Sequence, residues 1–61
     1  MPVISIESNK LTREKKRTLV KEITKISSEI MELPESAIIV LIKEANPEDV
    51  GVGGQLLCDR E

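Results

Sequence analysis

Pro2, directly after Met1, is the residue in this sequence best equipped for chemistry. A methionine followed by a small residue is normally trimmed, and proline then becomes the first residue with a free secondary amine. A free α-amino group titrates near ~8, and burial disfavours its charged form. Such a base, held by its ring at the head of an apolar strand, suits proton transfer near neutral pH. A plainer reading is structural: proline is tolerated at the first residue of a strand because no ladder donor is lost there. With Met1 attached, the proline nitrogen is an amide and not a base. The second chemical feature is a crowd of cations, Lys10, Arg13, Lys15, Lys16 and Arg17. They could capture an anion, or they could form a solvated face partly balanced by Glu7 and Glu14. Cys58 has no histidine to activate it and reads as a small interface residue rather than a nucleophile.

Composition narrows the function classes. With no histidine and one cysteine there is no zinc set and no internal disulfide, and no metal or cofactor is expected. No aromatic residue is present, so bases of single-stranded nucleic acid have no stacking platform. A net charge of -2 argues against phosphate neutralisation, hence against nucleic acid as a partner. No apolar run nears the ~20 residues of a membrane span, and no signal-peptide core is present. A soluble cytoplasmic protein is expected, with a lone thiol that suits a reducing compartment. Sixty-one residues form one small domain, 1–61, that buries only about 60% of its unfolded surface. Partner subunits are the remaining support.

The elements that must position these residues follow in chain order. Val3 to Glu7 reads as a short strand, and Ser8 to Leu11 as a turn. Thr12 is a good helix N-cap, with Glu14 in the first turn. Leu19, Val20, Ile23, Ile26, Ile30 and Leu33 recur at spacings of three and four, the stripe of an amphipathic helix running to about Glu32 and stopped by Pro34. Ala37 to Ile42 is an unbroken apolar run, so both faces of that strand must be covered. A helix between two strands makes them parallel, through a right-handed crossover. One helix covers one face only, and the bare face predicts subunit contact. Asn46 to Asp49 is a turn. The glycines of Val50-Gly51-Val52-Gly53-Gly54 lack the Lys-Ser/Thr of a phosphate loop. They favour a hairpin with Leu56-Leu57-Cys58 as its return strand. Asp59-Arg60-Glu61 is expected to fray. The fold class is α/β: a single βαβ unit of two parallel strands and one helix, with a C-terminal β-hairpin.

In this order and length, Pro2 with its β-branched strand, Leu19-Val20-Lys21-Glu22, the strand from Ile38 to Glu44, and Gly51-Val52-Gly53-Gly54-Gln55-Leu56 resemble the 4-oxalocrotonate tautomerase family. The likeness covers nearly the whole chain. It implies dimers built from four-stranded sheets, commonly three to a homohexamer. It also implies that Pro2 shuttles a proton between an enol or dienol and its keto isomer. This chain departs from that pattern at three places. Leu11, flanked by Lys10 and Arg13, stands where the family's well-known tautomerases carry one arginine. Ile39 stands at a second arginine, and Val50 at an aromatic residue. Those groups bind substrate carboxylates, draw electron density and keep the proline's surroundings apolar.

The expected activity is therefore an isomerase acting on a small 2-oxo acid, with Pro2 as general base and then acid. Lys10, Arg13, Ile39 and Val50 are the candidate substrate contacts. Lys10 and Arg13 lie at the far end of the strand from Pro2, so only a neighbouring subunit could bring them to it. The alternative is a non-catalytic oligomeric module that keeps the fold without the substrate-binding arginines.

Overall fold

The computed structural model describes residues 1–60. Its frame is strand β1 (Val3–Ser8), helix α1 (Arg13–Met31), strand β2 (Ile39–Glu44) and a hairpin of β3 (Gly51–Val52) and β4 (Gln55–Leu56). The two long strands are parallel, with Val3 opposite Ile39 and Ser8 opposite Glu44. Two further bonds extend their ladder, from the Ile39 N–H to the Pro2 carbonyl (3.1 Å) and from the Ala45 N–H to the Ser8 carbonyl (2.9 Å). β3 and β4 form a separate antiparallel pair.

Thr12 starts α1: its hydroxyl accepts the Lys15 N–H at 3.2 Å, filling one of the orphan donors of the first turn. The helix ends before Pro34 acts. Glu32 turns left-handed (φ 56°), and the Leu33 N–H reaches back to the Ser28 carbonyl at 3.2 Å. That is the closing geometry in which glycine is usual, and a residue with a Cβ adopts it at a cost of about 1–2 kcal/mol.

Several boundaries differ from the expectation. β1 extends through Ser8, which pairs with Glu44 instead of turning. β2 begins at Ile39 and not at Ala37, because Glu35–Ala37 close a 3-10 turn after Pro34. The return strand is Gln55–Leu56; Leu57 and Cys58 enter another 3-10 turn, Leu57–Asp59, whose exit is held by an Arg60 N–H bond to the Leu57 carbonyl (3.1 Å). Asp59 is the last residue of that turn, and Glu61 lies outside the described residues. The hairpin turn is made by Gly53 (φ 60°) and Gly54 (φ 82°). A Cβ at either would meet nothing within 4 Å, so conformation alone requires glycine there.

The alternation along β1 decides which sheet face is bare. Ile4, Ile6, Val40 and Ile42 are half-buried beneath α1, while Val3 (52% exposed) and Leu41 (54%) share the open face with Ile39. The helix holds a surprise. In its second half Thr24, Ser27 and Ser28 are half-buried, and Ile26 (55%) and Ile30 (75%) are exposed. The apolar stripe read from the sequence is real, but beyond Ile23 nothing in the single chain covers it.

No described residue is fully buried. The accessible surface is 5096 Å², against about 4,000 Å² for a compact monomer of this mass. The radius of gyration is 14.8 Å, against about 10.5 Å for 61 residues packed compactly. This is the shape of a subunit with its core left open.

Candidate active site

Pro2 sits immediately before β1, half-buried, with its carbonyl tied to the Ile39 N–H. Met1 ahead of it is 89% exposed. The proline's chain position is therefore fixed from one side and open on the other. Ile39 stands opposite Val3 at the start of β2, so Pro2 and Ile39 are neighbours, and the surface beside them is apolar. Pro34 and the 3-10 turn Glu35–Ala37 deliver β2 to this place.

The other sequence candidates lie elsewhere. β1 is six residues long, or about 20 Å at the usual rise. Lys10 and Arg13 are at its far end, both exposed. Val50 follows β2 by several residues, its carbonyl accepting the Leu57 N–H at 2.8 Å at the base of the hairpin. It helps line a hollow of about 700 Å³ with Glu7, Lys43, Glu44, Asp49 and Leu57, again at the end away from Pro2. Within one protomer, only Ile39 among these candidates meets Pro2.

The basic cluster is partly paired, and Glu44, not Glu7, is the acid of the sheet that meets it. One Glu44 carboxylate oxygen accepts the Leu11 N–H at 2.8 Å, and the other meets the Lys16 ammonium at 3.0 Å. The Leu11 hydrogen bond first, and then Lys16, hold the Glu44 carboxyl below its ordinary 4.5. Arg17 pairs with Glu14 at 2.6 Å. Glu7 stands opposite Lys43 in the sheet register. Glu44 escaped notice because its partners are set by the parallel register, which places the end of β2 beside the loop after β1. The periodicity of either segment alone carries no such signal.

Among the described residues, no three His, Cys, Asp or Glu side chains group as a metal site, and no helix is long and apolar enough to cross a membrane. Cys58 is exposed and free, 3.9 Å from an Asp59 carboxylate oxygen.

Comparison with known proteins agrees with this architecture. The tautomerase enzyme family matches residues 2–60. DmpI from Archaeoglobus fulgidus is 43% identical, over 95% of this chain and 100% of its own, with a TM-score of 0.88. YwhB, a homologue of 4-oxalocrotonate tautomerase, is 31% identical over 98% of this chain and 100% of its own, at 0.91. A 4-oxalocrotonate tautomerase isozyme structure from Methylibium petroleiphilum is 26% identical over 93% and 94% of the two chains, at 0.84. No curated protein sequence matches the chain. With a match that runs from Pro2 through the hairpin to Arg60, the chain belongs to the tautomerase family.

Proposed function

We propose that this chain, as one domain of residues 1–61, is a proton-transferring isomerase that interconverts enol and keto forms of a small 2-oxo acid. The observation that carries the proposal is the placement of Pro2: half-buried at an apolar strand head, anchored through its carbonyl to Ile39, with an exposed Met1 accessible for removal. Once Met1 is removed, the amine lone pair takes the proton of the enol hydroxyl. The electron pair released forms the carbonyl and drives the double-bond electrons toward carbon. The ammonium then returns its proton to that carbon, and the base is regenerated with no net gain or loss. The ring restricts the amine, so little orientation is lost in reaching the transition state.

Ile39 forms the wall beside the amine, and Lys10, Arg13 and Val50 serve the site only across an interface with another copy. Self-association is part of this reading, because Val3, Leu41, Ile26 and Ile30 lie open and no core is buried among the described residues. A homohexamer in a reducing, cytoplasmic setting is the form we assign. The test is intact mass together with an enol-to-keto assay followed by ultraviolet absorbance. Trimmed protein should isomerise an enol and Met1-bearing protein should not; equal activity in both would assign the base elsewhere. The apolar Ile39 beside Pro2 favours a second reading, an oligomeric module without catalysis. Trimmed, assembled protein that turns over no enol would establish that one instead.

A further inference from the structure

The loop of residues 9–12 joins β1 to α1 and carries Lys10. Its backbone has little of its own to hold it. The Ser8 hydroxyl donates to the Asn9 carbonyl at 2.8 Å, a bond between neighbours in the chain. The Leu11 N–H donates to Glu44 Oε2, also at 2.8 Å. Among the described residues this is the one long-range hydrogen bond made by residues 9–11. That N–H belongs to the peptide joining Lys10 to Leu11. Glu44 thus fixes the peptide plane from which the Lys10 side chain springs, through a charge-assisted bond of the stronger kind.

Three observations set this tie apart from a plain brace. The bond lies in an exposed setting, where water satisfies an N–H without a desolvation cost, so what the carboxylate adds is a fixed direction. The second oxygen, Oε1, meets the Lys16 ammonium at 3.0 Å, which holds the carboxylate in turn to the helix. Lys10 itself is exposed and, among the described residues, forms no ion pair. Its charge stands open to an anion. Finally, Glu44, Ser8 and Asn9 border the hollow of about 700 Å³ that Val50 lines. Two candidate substrate contacts far apart in the chain, Lys10 and Val50, are therefore gathered at one pole, with Glu44 between their segments.

We propose that Glu44 is the positioning residue for Lys10, setting its ammonium in place to receive the carboxylate of an enol bound at Pro2 of another copy. This rests on the reading above, in which a neighbouring copy's Lys10 serves the site. An untied loop would present the same ammonium over a spread of positions, and a binding group displaced by an ångström forfeits much of its effect. Arg13 needs no such tie, since α1 itself carries its backbone. Glu44 acts by place and not by charge: its own negative charge disfavours an anion nearby.

Two substitutions separate place from charge. Glu44→Gln removes the charge and keeps an acceptor for the Leu11 N–H; Glu44→Asp keeps the charge and withdraws it by one methylene. The readout is kcat/KM for the enol of a 2-oxo monocarboxylic acid divided by that for the enol of an aldehyde. It is measured near neutral pH on protein freed of Met1, with folding and assembly checked by circular dichroism and sedimentation. Glu44→Asp should lower this ratio about tenfold, through KM of the acid, and Glu44→Gln should stay within about twofold of wild type. Lys10→Ala should lower the ratio as far as Glu44→Asp does, and the double variant should fall no further. A general loss of stability would move both enols together. A ratio lost in Glu44→Gln and kept in Glu44→Asp overturns the proposal, as does an effect of Glu44→Asp that persists without Lys10. A second arm needs no turnover. Glutarate, a dicarboxylate with no enol, should bind about tenfold more weakly to Glu44→Asp and to Lys10→Ala than to wild type or Glu44→Gln, by calorimetry. No binding to wild type, or binding indifferent to Lys10, overturns the proposal. Should glutarate follow this pattern while no enol reacts, the isomerase reading fails and the positioning assignment stands.

Discussion

An amine exists at Pro2 only after Met1 leaves, because acylation by the methionine removes the basic lone pair. Loss of a general base lowers rates by about 10²–10⁴-fold. Protein retaining Met1, verified by mass, is expected to lose kcat/KM on that scale. Pro2→Ala should keep part of the activity, since a primary amine remains, with a displaced pH profile. Ile39→Arg tests the wall beside it. A charge-assisted hydrogen bond contributes about 1.5–3 kcal/mol, so the added guanidinium should raise kcat/KM for a dicarboxylate enol about 10- to 100-fold and a monocarboxylate far less. No gain would show that another group already fills that role. At this scale the sequence was informative about Pro2, whose chemistry comes from its ring and its position. It also set Lys10 and Arg13 apart from Pro2 by the length of β1, but it was silent about Val50, which the hairpin holds at the opposite end from Pro2 while Ile39 meets Pro2. Glu44 was hidden for a related reason, its bonds to Leu11 and Lys16 being made 33 and 28 positions away in the chain.

Two joints between elements carry their own tests. Glu44 ties the end of β2 to the loop and first turns of α1. Its folded-state carboxyl is held below 4.5, so the tie is fully present above that pH and is lost as pH falls through the depressed value. Glu44→Gln keeps an acceptor for the Leu11 N–H and removes the charge. The gap in melting temperature between wild type and this variant should be open at neutral pH and close in acid; a gap independent of pH would contradict the assignment. The other joint is Glu32. Replacing it with glycine relieves the left-handed strain and should stabilise the fold by about 1 kcal/mol in denaturant unfolding at fixed concentration. A decrease would mean that the carboxylate makes a compensating contact across an interface. The strand, helix and hairpin were legible in the order of apolar runs, Thr12, Pro34 and the glycines. The edges were not, because Glu35–Ala37 and Leu57–Asp59 coil into 3-10 turns through local backbone bonds that apolar patterning does not encode.

The whole molecule is a half-built core. Leu41, Val3, Ile26 and Ile30 are apolar and exposed, the first two on the open sheet face and the others on the second half of α1. Leu41→Asp on the sheet face should dissociate the assembly and lower its melting temperature, measured by sedimentation and circular dichroism. The wild-type melting temperature should rise with protein concentration. A folded, stable wild-type monomer at micromolar concentration would contradict both expectations. The sequence indicated that one helix cannot cover both faces of β2. It left open what covers the end of the stripe, since the same isoleucines that mark a helix by their spacing do not say which neighbour they face. An unfinished core has a genetic consequence. When identical chains complete one another, a damaged copy does not fail alone, because each mixed assembly that includes it is weakened. A milder allele that still assembles, such as Leu41→Ala, expressed beside the wild type should therefore behave as dominant, lowering total activity below the share contributed by intact genes.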